Sequence, residues 1–326
     1  YPAPATVANL VTGGSIAQLK SGLDALSSGS ISRARQVRDS LPKDSLDRHI
    51  LMWAIAISGA EGVPSAEIAE AAKTLGGWPG MSTLRSNSEL AMYKENPGPR
   101  AALAAFGNSK PQTPEGTILL ARSHVAVGNL KEARAVLAPF WRTARLEAGH
   151  EQIIIREFGK ILSAADHRAR MERMLYNDRI SSAERVAGLA GARELAKAFA
   201  AVTRNEKNAG ALLKAVPQAQ RSAAFIFAQA RHLRRAEKYK EAAAVMLKAP
   251  RDAASLVDPD QWWIERRVLS RELLDLGDGA TAYKLAAAHA AESPMHAVDA
   301  EFHAGWYAFR ALGDAKRVFA TLAEEG

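Results

Sequence analysis

Apolar residues along this chain recur at steps of three and four. Leu46, Ile50, Trp53 and Ile57 are 4, 3 and 4 apart; Leu195, Phe199 and Val202 are 4 and 3 apart, as are Phe302, Trp306 and Phe309. A helix turns once in about 3.6 residues, so each set falls on one helix face. Trp262, Leu269, Leu273 and Leu276 continue the rule through a helix that Pro259 opens at its first turn, where the missing N–H has no intrahelical partner to lose. Sustained alternation of apolar and polar residues is absent. The best strand candidate, Ile153-Ile154-Ile155, is short and lies inside a helical pattern. The predicted fold class is all-α.

Turn residues divide the pattern closely. Breaks are expected at Ser27-Ser28-Gly29, Leu41-Pro42, Gly76-Gly77, Asn96-Pro97-Gly98, Gly128-Asn129, Pro217, Pro250, Gly277-Asp278, Ser293-Pro294 and Gly313-Asp314. About 19 candidate helices result, so a helix pair takes about 34 residues, the range of helix-pair repeats. A degenerate repeat agrees with this. Five residues after Gly29, Gly128, Gly277 and Gly313 come Ala34, Ala133, Ala282 and Val318; nine residues after the last three come Leu137, Ala286 and Leu322. Glu237 fits the frame, with Ala242 and Met246. The small residue lets the second helix of a hairpin approach the first. The frame resembles the tetratricopeptide phrase and predicts an α-α superhelix of stacked helical hairpins, curved or ring-shaped. One scaffold domain over 15–326 is expected, after a tail over 1–14.

Composition narrows the chemistry. The chain has 326 residues, 48% hydrophobic and 24% charged, so it reads as folded. It holds no cysteine, which excludes disulfides, thiolate metal sites and a thiol nucleophile. No run approaches the roughly 20 apolar residues of a membrane span. Walker, dinucleotide, H-E-x-x-H and G-x-S-x-G signatures are absent, and no cofactor is expected. His289, His296 and His303 recur every seven residues. That step is about 10.5 Å along a helix, too far for two ligands of one ion, so interhelical or surface roles are expected. Among the carboxylates, Asp44 with Arg48 and Arg168 with Glu172 are spaced to pair along a helix. Asp258 and Asp260 flank Pro259 and are expected to cap.

The net charge of +8 calls for an anionic partner. Basic residues gather at Arg168, Arg170, Arg173 and Arg179; at Arg231, Arg234, Arg235, Lys238 and Lys240; and at Arg266, Arg267 and Arg271. Aromatics are only 6% of the chain, too few for base-stacking platforms, so interhelical ion pairs are favoured over nucleic acid.

From Asp258 the sequence becomes distinctive. Trp262-Trp263-Ile264-Glu265-Arg266-Arg267 is followed by Leu273-Leu274-Asp275-Leu276-Gly277-Asp278, then Ala282-Tyr283, then Ala300-Glu301-Phe302-His303-Ala304-Gly305-Trp306. Together with Asp166-His167-Arg168 through Met174-Leu175-Tyr176, this resembles the N-terminal superhelical region of the soluble lytic murein transglycosylases of Gram-negative bacteria. The likeness runs along most of the chain and is specific in residues 258–310.

The resemblance implies an exported, periplasmic helical scaffold that precedes a lysozyme-like domain acting on peptidoglycan. That domain cleaves between N-acetylmuramic acid and N-acetylglucosamine and leaves a 1,6-anhydro end. One glutamate serves as acid and then base, marked by Glu-Ser and a following Gly-x-Met-Gln. Here the one Glu-Ser is Glu292-Ser293, before Pro294 in an expected interhelix turn, and Gly-x-Met-Gln is absent. No catalytic residue carries over, and this chain by itself is expected to be inactive. Trp262, Trp263, Arg266, Arg267, Tyr283, Glu301 and Trp306 match the scaffold motif, with interhelical packing expected ahead of glycan contact. A start at Tyr1-Pro2-Ala3-Pro4-Ala5 is what removal of an export signal, or trimming, leaves. The competing expectation is a helical-repeat module with a protein partner and no cell-wall chemistry.

Overall fold

A computed structural model describes residues 13–312, with side chains from Ile16 to Arg310. Within it the chain forms two compact units, each described by itself. Nineteen helices and no strand occur among the described residues. The first unit holds α1 (Gly13–Ser27), α2 (Ile31–Ser40), α3 (Leu46–Ile57), α4 (Ser65–Thr74), α5 (Met81–Glu95), α6 (Pro99–Phe106) and α7 (Pro114–Ala126). It also takes α8 (Leu130–Thr143) as far as Leu137, and α9 (Ala148–Glu157) from Gly149. The second unit holds α10 (Ala164–Tyr176), α11 (Ile180–Ala187), α12 (Arg193–Thr203), α13 (Ala209–Ala215), α14 (Ala223–Arg235), α15 (Tyr239–Met246), α16 (Ala253–Leu256), α17 (Pro259–Asp275), α18 (Gly279–Ala287) and α19 (Pro294–Leu312).

The hairpin turns have a common cause. Gly29, Gly128 and Gly277 sit at φ of 80°, 84° and 81°, and Glu237 at 60°. After each, an amide returns to a carbonyl five residues back: Ser30 to Ala25, Asn129 to His124, Asp278 to Leu273 and Lys238 to Leu233, all at 2.8–2.9 Å. This left-handed turn satisfies carbonyls that a helix end leaves bare. The residue five positions on, Ala34, Ala133, Ala242 or Ala282, is 0% exposed in every case. The structure adds two members that the sequence pattern did not single out. Asp178 (φ 58°) is followed by Ala183 and Gly191 (φ 65°) by Ala196, both wholly buried. The frame at Gly313, with Val318 and Leu322, and the expected tail over 1–14 fall outside the described side chains.

Many helices pack on their neighbour in sequence, as α1 does on α2, α4 on α5, α10 on α11 and α18 on α19, and several also pack on the helix after that: α1 on α3, α3 on α5 and α5 on α7; then α10 on α12, α12 on α14 and α17 on α19. In the first unit Ala34, Leu51, Ile55, Leu75 and Leu84 make the core. In the second, an aromatic spine runs through the longer helices. Tyr176, Phe199, Phe227 and Trp262 lie in α10, α12, α14 and α17, with successive ring centroids 5.6, 5.8 and 5.2 Å apart.

Ile153–Ile155 is helical, inside α9, in keeping with the helical pattern around it. Several other expectations needed correction. Leu195, Phe199 and Val202 are buried as expected, but α3 buries Leu51, Ile55 and Ala56 and leaves Leu46 exposed. Leu276 is 58% exposed, at the C-cap position where α17 ends. Phe302, Trp306 and Phe309 do share a face of α19, yet that face is exposed. Arg48 reaches Asp39 at 3.7 Å and the Leu41 carbonyl at 3.1 Å rather than pairing with Asp44, since it closes the end of α2.

Candidate functional site

The motif residues converge on α17 and its neighbours. Asp258 caps the helix through the Gln261 amide at 3.2 Å, and Pro259 occupies the first turn. Asp260 takes a different part from the capping expected of it. Its carboxylate accepts from the amides of Glu292 (2.9 Å) and Ser293 (3.2 Å), pinning the loop before α19. Burial opposes ionisation of Asp260, but those two amides, together with the Ser293 side chain and nearby His296, outweigh it and hold the pKa below the ordinary value.

Trp262 and Trp263 are both fully buried and point to different neighbours. The Trp262 indole donates to the Tyr176 hydroxyl at 3.0 Å, and burial above all pushes that hydroxyl's pKa well up. The Trp263 indole donates to Asp299 of α19 at 2.9 Å, and its ring lies 6.0 Å from His289 and 5.5 Å from His303. Arg267 shares Asp299 at 2.9 Å. Burial of Asp299 works against its charge, and the donors Trp263 and Arg267 more than compensate, so its pKa is lowered.

Arg266 is only 2% exposed and gives one proton to the Leu285 carbonyl near the end of α18, at 3.2 Å. Its guanidinium lies 5.9 Å from the Trp262 ring centroid. Burial, with Arg251 nearby, brings its pKa down to about 10. Glu301 accepts from or shares a proton with His289 at 2.6 Å. Tyr283 is half-buried on α18, and Trp306 is 42% exposed on the outer side of α19. Six of the seven motif residues thus lie within interhelical packing, and Trp306 stands apart.

The basic clusters resolve into two uses. Some arginines meet carboxylates across helices: Arg231 and Arg234 share Glu265 at 3.2 and 2.5 Å, and Arg173 faces Asp258 at 3.5 Å. Arg168 pairs with Glu172 at 3.0 Å, as its spacing predicts. Others hold backbone carbonyls at helix ends and in a loop. Arg170, wholly buried, donates to the carbonyls of Trp141 and Ala144 at the end of α8, both at 2.7 Å, Arg235 to Val202 near the end of α12, and Arg179 to Leu146 in the loop between α8 and α9 at 3.0 Å. Burial, then repulsion from Arg231 and Arg234, lowers the Arg235 pKa. Arg271 meets His303 at 2.9 Å. The positive charge in these clusters is largely engaged inside the fold.

The carboxylate partners Glu265 and Asp299 were not picked out from sequence. The available signal was distance along the chain: Arg231 to Glu265 is 34 residues and Arg267 to Asp299 is 32, each about one helix pair. Buried Glu89 was missed as well. It accepts from the Gln112 and Thr113 amides at 2.9 Å and the Thr113 hydroxyl at 2.8 Å, anchoring the start of α7. Of the periodic histidines, His296 contacts Ser293 at 2.6 Å, while His289 and His303 border Trp263. Among the described residues no group of His, Asp and Glu is arranged to hold a metal ion, and no helix is long and apolar enough to cross a membrane. A surface depression of about 620 Å³ between α11 and α12 is lined by Glu184, Arg185, Gly188, Leu189, Arg193 and Lys197. Comparison of the chain with protein-family models, with curated proteins and with solved structures gave no match.

Proposed function

We propose that this chain is the superhelical scaffold part of a periplasmic soluble lytic transglycosylase. In this reading it guides peptidoglycan, through the peptides' carboxylates, toward a catalytic domain that these residues do not supply. The observation that carries the reading is the run from Trp262 to Trp306, whose matched residues, Trp306 apart, serve as packing and polar satisfaction between helices. A scaffold motif requires that use and a catalytic motif does not. Curvature has support of its own: the end of α10 meets the start of α17 through Arg173 and Asn177 to Asp258, across 85 and 81 residues. Helix pairs stacked in a straight row would keep such residues apart.

The test is sedimentation of the 326-residue chain with purified peptidoglycan, followed by analysis of released fragments. The expected result is salt-sensitive binding with no anhydromuramyl product. Release of that product would overturn the inactive-scaffold reading. Absence of binding, together with recovery of one stoichiometric protein, would favour the helical-repeat interaction module instead.

A further inference from the structure

Two cations of α12 differ from the arginines that meet carboxylates across helices. Arg193 and Lys197 stand four residues apart on that helix, on one face, with Cβ atoms about 6 Å apart. Like charges so placed repel. Elsewhere the fold answers such crowding with an acid: Arg231 and Arg234 share Glu265, and Arg168 has Glu172 four residues on. Among the described residues no carboxylate is in ion-pair contact with Arg193 or Lys197. The adjacent Glu194 is held by the Gln220 side-chain amide instead, at 2.6 Å.

Both cations line the recess of about 620 Å³ between α11 and α12. Pockets that hold small ligands span roughly 300–1,000 Å³. Arg185 of α11 adds a third cation to the lining, and it donates to the Ser182 hydroxyl at 3.2 Å. Leu189, 47% exposed, supplies an apolar wall. Glu184 also lines the recess, and its charge opposes a second acid group on any occupant.

Gly188 is explained by the same arrangement. Its φ of −66° and ψ of −44° are ordinary helical values, at which alanine is favoured over glycine. A Cβ there would stand 2.6 Å from Nη2 and 2.9 Å from Nε of Arg193. The missing side chain lets the guanidinium lie against the backbone at the end of α11, at the wall of the recess.

We propose that this recess binds a small organic anion, its single phosphate or carboxylate head on Arg193, Lys197 and Arg185 and its apolar body against Leu189. A guanidinium presents paired N–H donors that match either head, and the lysine adds a point charge. The bound head neutralises the repulsion between Arg193 and Lys197. The inference stands apart from any cell-wall role.

Isothermal titration calorimetry of the full chain tests it, with phenyl phosphate and hexanoate as the two acids and benzyl alcohol as the uncharged probe. At least one acid is expected to bind at one site per chain with a Kd below about 1 mM, and benzyl alcohol is not; the tighter acid identifies the head group. Arg193→Met and Lys197→Met are each expected to weaken that binding about tenfold or more, as loss of a charge-assisted hydrogen bond does. Lys110→Met, an exposed cation outside the recess, is expected to leave it unchanged. Gly188→Ala should weaken it by displacing the guanidinium, with a thermal midpoint at or above the parent's, which separates lost binding from lost folding. Failure of both acids to bind, equal weakening by Lys110→Met and Arg193→Met, or parent-like binding by Gly188→Ala would overturn the proposal.

Discussion

Arg266 offers the sharpest test of how this fold treats its charges. The guanidinium is 2% exposed, with a single backbone acceptor at 3.2 Å, and burial brings its pKa down to about 10. At about 1.4 kcal/mol per pKa unit, keeping the charge in place costs the fold about 3 kcal/mol. The hydrogen bond to Leu285 returns about 1.5–2 kcal/mol and the contact with the Trp262 ring about 1 kcal/mol. Arg266→Met removes cost and return together, so its stability at pH 7 is expected within about 1 kcal/mol of the parent. A buried ion pair deprived of one partner would instead lose about 3–5 kcal/mol. The folded pKa lies below the unfolded one, so above pH 10 the unfolded chain holds the extra proton and stability rises with pH. Parent stability relative to Arg266→Met is therefore expected to rise by about 1 kcal/mol between pH 10 and 11. Urea titrations followed by circular dichroism at pH 7, 10 and 11 measure both quantities. A loss above 3 kcal/mol at pH 7, or a flat difference between pH 10 and 11, would refute the reasoning.

Three further outcomes are expected. Trp262→Ala opens a cavity in the aromatic spine and deprives the Tyr176 hydroxyl of its donor, so urea titration should show a loss of about 3–5 kcal/mol. Glu237→Gly relieves a side chain held at φ 60° and should raise the urea midpoint, worth about 0.5–1 kcal/mol. Asp260 and Asp299 have folded pKa values below the ordinary one, so their contribution is present above pH 4 and is lost as pH falls through the lowered values. Asp299→Asn should therefore be less stable than the parent at pH 5, with the difference shrinking toward pH 2.

The helical class and the hairpin turns were legible because they depend on local chemistry. A left-handed residue followed five positions later by a small one is a short-range instruction, and Gly128 with Ala133 carries it in full. Asp178 and Glu237 adopt the same backbone without glycine, which makes such turns harder to see. Which face a helix buries is set by distant neighbours, so Leu46 and Leu276 were misplaced while Leu195 and Phe199 were not. The motif on α17 was visible as a string, but not the division of labour between Trp262 and Trp263, adjacent residues that serve α10 and α19. Charge was least legible. The +8 suggests an external polyanion, yet Arg170, Arg179 and Arg235 are committed to helix-end and loop carbonyls that no sequence pattern advertises.

Most polar links between helices join residues one helix pair apart, and a chain built that way alone would come undone pair by pair, like a row of weakly coupled units. The contact of Trp262 with Tyr176 spans 86 residues and that of Asp258 with Arg173 spans 85. Each joins the first long helix of the second unit to one far along it, so fraying at an intermediate hairpin also strains the contact that closes the loop. Such closure converts graded melting into a single cooperative transition for residues 164–275. A pulling experiment would register it as one force peak rather than a staircase.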